Sequence, residues 1–224
     1  NAMQSGSVTA FMGTTKCRTY VPDNNFEAYL ETHDASGNVV SIGDANSMGD
    51  GIANNDYVYK DKIRVVTSLN VDNQNIAALT GIEDFIVLTN LHCAYNQLTI
   101  LDVSQNTSLS SLFCNDNQLT ILDVSQNTVL SRLWCHNNQL TTLDVRNGNN
   151  INFTNFDATG NSNLNCISVD DAAWSSANWT YIDSHTSFSN NCNNTIYDVV
   201  SNSPDHTSLK TAIDASGLDG LLSG

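Results

Sequence analysis

The chain has 224 residues, 40% of them hydrophobic, enough to bury a sizeable core in one or two domains. It carries 23 acidic against 8 basic residues, a formal net charge of −15, so the basic footprint that nucleic-acid binding needs is missing. No apolar run approaches the ~18 residues of a membrane-spanning helix, and no membrane insertion is expected.

Residues 1–19 are small and polar without pattern. They read as a poorly ordered leader, with Asn1-Ala2-Met3 as an expression scar and any native signal peptide removed. An N-terminal cap is expected over 20–65. Pro22 blocks helix upstream, Asp23 is placed as the N-cap, and Phe26, Tyr29 and Leu30 form one apolar face. That face would cover the open end of a stack of repeats further along the chain. Residues 34–56 are rich in Asp, Asn and Gly. Counted from Asp44, Gly49 holds the glycine position of a calcium loop, but no acid closes the loop. We read the stretch as a surface loop of Asx turns and expect no cofactor, with calcium as the alternative.

Residues 88–150 hold three gapless copies of a 21-residue segment, starting at Leu88, Leu109 and Leu130. Their common frame is L-x-x-L-x-C-x-x-N-Q-L-T-x-L-D-V. Period and frame together are the signature of a leucine-rich repeat solenoid. The predicted fold class is therefore α/β. It is a solenoid with a curved parallel β-sheet on its concave face, a mostly extended or 3₁₀ convex side, a short helical N-terminal cap and a C-terminal cap. So short a coil leaves no room for a full convex helix. A degenerate copy from Val66 and a drifted one ending at Val169 bring the count to about five coils over 66–169.

Strand alternation turns Leu91 and Cys93 inward around an outward His92. It does the same for Leu112 and Cys114 around Phe113, and for Leu133 and Cys135 around Trp134. Cys93, Cys114 and Cys135 read as small buried hydrophobes. Asn96, Asn117 and Asn138 end the strands, where a buried amide satisfies backbone groups in the bend. Asp102, Asp123 and Asp144 read as caps of the convex turns.

Outward positions stack into columns. The central one runs Asn70, His92, Phe113, Trp134, Asp157. Beside it run Asp72, Ala94, Asn115, His136, Thr159, and then Asn73, Tyr95, Asp116, Asn137, Gly160. His92, Tyr95, Phe113, Asp116, Arg132, Trp134 and His136 thus form an aromatic patch rimmed by polar groups. Such a patch is a candidate ligand-binding face, and equally a cross-strand ladder that stabilises the sheet. No nucleophile elbow, phosphate loop or H-E-x-x-H occurs. His92 and His136 lie two coils apart, too far to share a metal. We expect no enzyme, no catalytic residue and no metal ligand.

Residues 170–194 form the expected C-terminal cap, with Trp174, Trp179, Ile182 and Phe188 covering the last coil. Cys166 just before it and Cys192 near its end are predicted to form a disulfide that closes the cap, leaving Cys17 over. A disulfide implies an oxidising compartment. Residues 195–224 have helical periodicity but too few apolar groups for a core of their own.

Two parts of the chain resemble known families. TYVPDNNFEAYLE, the LTILDVSQNT repeat and NLNCISVDDAAWSSANWTYID make residues 20–192 similar to bacterial secreted leucine-rich repeat proteins. That resemblance implies an exported or surface-attached binding module with no catalytic residues to carry over. TIYDVVSNSPDHTSLKTAIDASGL resembles the opening of a fasciclin domain, so 195–224 reads as the start of a longer domain cut from a larger protein. Fasciclin domains imply adhesion to proteins or polysaccharides. The function these readings imply is a monomeric, non-enzymatic recognition or adhesion module, secreted or at the cell surface. It would take a protein or polysaccharide ligand on the concave face. The alternative is a structural spacer or accessory domain of a larger secreted protein, stabilised by calcium in one version.

Overall fold

The computed structural model describes residues 16–192. The leader as far as residue 15 and the fasciclin-like segment 195–224 lie outside the described residues. In chain order the elements are β1 (Arg18–Tyr20), α1 (Asn24–Thr32), β2 (Tyr57–Tyr59), α2 (Lys60–Ile63), β3 (Ser68–Asn70), β4 (Asn90–His92) and β5 (Ser111–Phe113). They continue with β6 (Ile121–Asp123), β7 (Arg132–Trp134), β8 (Thr142–Asp144), β9 (Asn155–Asp157), β10 (Cys166–Ser168), α3 (Ala172–Asn178) and β11 (Ser187–Ser189).

The N-terminal cap begins earlier than the sequence pattern suggests. β1, which starts within the last residues assigned to the leader, pairs antiparallel with β2. Thr19 is buried, and Arg18 forms an ion pair of 3.2 Å with Asp50. The partner strand, far along the chain, is what orders this polar segment, and nothing in RTY alone signals it. α1 starts where Asp23 caps it. One oxygen of Asp23 accepts from the Asn25 and Phe26 N–H groups, and the other accepts from Ala77 and Ala78 of the first coil. One carboxylate therefore both begins the helix and seats it on the solenoid. Phe26 and Leu30 are fully buried there.

The Asp-rich loop is held from inside by protein groups. Glu27 accepts from Asn55 N–H, and Glu31 accepts from the Asp50 and Gly51 N–H groups. Asp34, Asp44 and Asp50 each accept a backbone N–H two residues on, the Asx-turn pattern. Burial pushes the Glu31 carboxyl up despite its two backbone donors.

The coils stack as two parallel sheets. The concave sheet runs β3-β4-β5-β7-β9, with Leu69, Leu91, Leu112, Leu133 and Phe156 in one register row. Just before each strand, a hydroxyl (Thr89, Ser110, Ser131, Thr154) donates to the carbonyl one coil back, at separations of 22, 21, 21 and 23 residues. Away from the concave strands the coils are extended, with 3₁₀ turns at Ile82–Asp84 and Asn150–Asn152, and from Ile121 onward these segments pair into a second sheet, β6-β8-β10-β11. Between the sheets the coil turns through i→i+3 bonds, as Asn106 N–H to Val103 O and Leu109 N–H to Asn106 O.

Two amide ladders clamp the coils together. Asn96, Asn117, Asn138 and Asn161 each donate across the bend to carbonyls of their own coil and of the one before. Each oxygen accepts a buried N–H of the preceding coil: Ile76, Leu98, Leu119 and Leu140 in turn. A second ladder, unforeseen from the sequence, runs under the convex turns. There Asn106 donates to Ile82 O and Asn127 to Val103 O, both residues fully buried.

Asp102, Asp123 and Asp144 cap the convex turns through the N–H groups of Ser104, Ser125 and Arg146. The Ser104 N–H holds the Asp102 carboxyl below the usual carboxylate range. At the far end Cys166 and Cys192 are joined by a disulfide that ties β10 to the end of the cap.

Cys93, Cys114 and Cys135 stack fully buried and unpaired in the core, while Cys17 is exposed. Burial pushes the Cys114 thiol up to about 12 and the other two thiols well above their ordinary value. The thiolate is the reactive form, so these three are inert while the fold holds. With Ellman's reagent, native protein is expected to titrate Cys17 alone, and the ladder thiols only on unfolding. Rapid labelling of the native ladder would contradict this.

Candidate functional site

The concave strands present alternate residues to solvent, and their register sets His92, Phe113, Trp134 and Asp157 side by side. The rings touch in sequence. His92 lies 4.4 Å from Phe113, Phe113 lies 4.9 Å from Trp134 edge to face, and Trp134 lies 6.2 Å from His136. Trp134 keeps 39% of its surface exposed, high for a tryptophan in a continuous row. The row is both a ladder and an accessible apolar strip.

Polar groups flank it. His136 sits between two carboxylates, with Nε2 3.7 Å from Asp116 and Nδ1 3.4 Å from Asp157. His92 faces Asp72 at 3.9 Å. Arg132, exposed, shares β7 with Trp134 and projects on the same face, because Leu133 between them points inward. Ala94 and Asn115, placed outward in the column beside the ladder, are buried, so of that column Asp72, His136 and Thr159 are the partly open positions.

Tyr95 and Asp116 stand in a row whose backbone is left-handed throughout. Asn73, Tyr95, Asp116 and Asn137 have φ between 52° and 57°, and Gly160 closes the row at 69°. At Gly160 a Cβ would lie 2.4 Å from Asn137 Oδ1, so a side chain there would have to displace the Asn137 amide. Asn and Asp tolerate this conformation, but a tyrosine there is unusual. Tyr95 is also 60% exposed, so packing does not explain it.

Sequence reasoning therefore placed the ladder, but it missed what stands at its C-terminal end. A cleft of about 500 Å³ opens between β9, α3 and the segment after α3, with Trp134 on one wall and Trp174, Trp179 and Tyr181 on the other. The cap tryptophans read as packing, and Trp179 does pack, stacked on Phe156 at 4.1 Å. Trp174 and Tyr181 remain partly or largely open to the cleft. No periodic signal could have found this, because the cap lies outside the repeat.

No family model matches the chain. Over 52 residues it is 46% identical to internalin J of Listeria monocytogenes, a segment covering 23% of this chain and 6% of that protein. The solved functional domain of InlJ from Listeria monocytogenes, described as including a cysteine ladder, superposes with a TM-score of 0.51 at 30% identity, over 67% of this chain and 33% of that one. The internalin InlF from the same species gives a TM-score of 0.45 at 20% identity, over 67% of this chain and 44% of that one. The fold is a leucine-rich repeat solenoid of the internalin-like kind. The buried row Cys93, Cys114, Cys135 is a cysteine ladder in this solenoid also. The chain spans about a third of the solved InlJ domain and a small fraction of the curated relative. Among the described residues no helix is long and apolar enough to cross a membrane, and no group of His, Cys, Asp and Glu is placed to hold a metal ion.

Proposed function

We propose that this solenoid is a non-enzymatic recognition module, secreted or displayed at a cell surface, that binds a protein or glycan ligand on its concave face. The observation that carries the reading is the accessible His92–Phe113–Trp134 row with its charged rim. Interfaces place aromatic anchors at their centre and charged groups around them. The likeness to internalin J supports a binding module, and the Cys166–Cys192 bond supports an oxidising, exported setting. The net charge of −15 disfavours nucleic acid and favours partners with basic patches.

The test is a screen of glycans and surface proteins with the native protein and with Trp134→Ala/Phe113→Ala. Truncating central anchors typically costs about 2 kcal/mol or more, roughly a 30-fold loss of affinity. That loss is expected in the double variant with its circular dichroism unchanged. A ligand held equally by the folded variant would move the site off the ladder. Absence of any ligand for either protein would favour the spacer reading, in which the rings serve only the sheet.

A further inference from the structure

We infer that the cleft at the C-terminal end of the concave face is a sugar-ring subsite, built jointly by the last concave strand and the cap. The inference rests on the recognition reading and names the ligand chemistry at this end of the face. At about 500 Å³ the cleft falls in the roughly 300–1,000 Å³ range of small-molecule sites. Its walls combine two kinds of group. Trp134, Trp174 and Tyr181 offer ring surface, Tyr181 being 66% exposed and thus held out with nothing packed over it. Asn155, Asn178 and Asp157 offer amide and carboxylate groups around the same space.

A pyranose has that same division. Its C–H face is apolar and lies flat on an aromatic ring, while its equatorial hydroxyls donate and accept in the ring plane. An amide matches a hydroxyl in both roles, and a carboxylate accepts from one. Other occupants fit less well. An anion would meet the Asp157 carboxylate and no basic side chain among the residues lining the cleft. A cation would meet that single carboxylate and no other charged oxygen among the residues lining the cleft. A purely aliphatic ligand would strand the polar rim. Trp179, only 7% exposed and stacked on Phe156, also lines the cleft and adds ring surface to it.

The test uses a property of this chain. It has three tryptophans, Trp134, Trp174 and Trp179, and all three line the cleft, so intrinsic tryptophan fluorescence reports on the cleft and, through Trp134, on the adjoining end of the ladder. Methyl glycosides of glucose, galactose, mannose and N-acetylglucosamine are titrated into the whole protein. At least one is expected to give a saturable change with a dissociation constant on the order of 1 mM. Tyr181→Ala and Asn155→Ala should each weaken that response at least about tenfold with the urea midpoint unchanged, since both side chains are exposed. Ile100→Ala, exposed on the convex side and outside the cleft, should leave it intact. Comparing the free oligosaccharide with the same glycan carried on a protein then separates a polysaccharide from a glycoprotein source.

No saturable response to any sugar overturns the inference, as does saturation by N-acetylarginine amide without any by a sugar. Neither result touches the ladder reading, which fails separately if Trp134→Ala/Phe113→Ala keeps full affinity for a ligand found in the screen.

Discussion

Asn117→Ala is expected to lower the free energy of unfolding by about 3–5 kcal/mol, measured by urea denaturation followed by circular dichroism. The side chain is 8% exposed. Its Nδ2 donates to the carbonyls of Cys93 at 2.9 Å, Cys114 at 3.1 Å and Asn115 at 3.2 Å, and its Oδ1 accepts the Leu98 N–H at 3.0 Å. Alanine strands the Leu98 N–H in the core, at about 1–3 kcal/mol, and leaves the three carbonyls short of a donor. Two of these bonds cross to the preceding coil, so the lost energy is coupling between repeats. Solenoid stability is largely such nearest-neighbour coupling. Gln118→Ala, next in sequence but exposed, should stay within about 0.5 kcal/mol of the parent. A cost below about 1 kcal/mol for Asn117→Ala would mean that the amide ladder accompanies the fold without holding it.

Cys166→Ser/Cys192→Ser is expected to cost about 3–4 kcal/mol, from loop-closure entropy across a sequence separation of 26 residues. The loss should be local. β11 pairs with β10 along Cys166–Ser168, and the cap between them shields Ile167 and Val169, both fully buried. Freed of its tie, the cap opens before the coils do. Tryptophan emission should then shift red at a lower urea concentration than the loss of sheet signal by circular dichroism. Coincident transitions in the double variant would show that the cap and the coils unfold as one unit. An unchanged midpoint would show that aromatic packing of Phe156, Trp179 and Phe188 alone secures the cap.

Much of the fold was legible because each coil repeats one environment. A residue that recurs at the same place in three copies must satisfy the same neighbours three times. Leu91, Leu112 and Leu133 could be assigned inward, and the outward columns read off, from the repeat alone. The strand register confirms the central column residue by residue. The Asn106–Asn127 ladder was available to the same logic, since the SQN triplet recurs, but Asn is common in turns and the recurrence reads equally as turn chemistry. The β1 strand and the cap cleft were not available to it. Each depends on one pairing between segments far apart in sequence, and a single occurrence carries no period.

The repeat by itself determined the coil, the inward leucines and cysteines, and the aromatic row along the concave face, because local alternation and a fixed period settle which way each side chain points. Tertiary structure decided the rest. LTILDVSQNT occurs twice, identical in sequence, yet Ile121–Asp123 is a paired strand and residues 100–102 are not. Ile121–Asp123 is hydrogen-bonded to β8, whereas residues 100–102 are paired with no strand, and a strand is a property of the pair and not of the segment. The cleft obeys the same rule. Trp134 became one of its walls only when the cap folded back over the last coil and set Trp174 and Tyr181 opposite it.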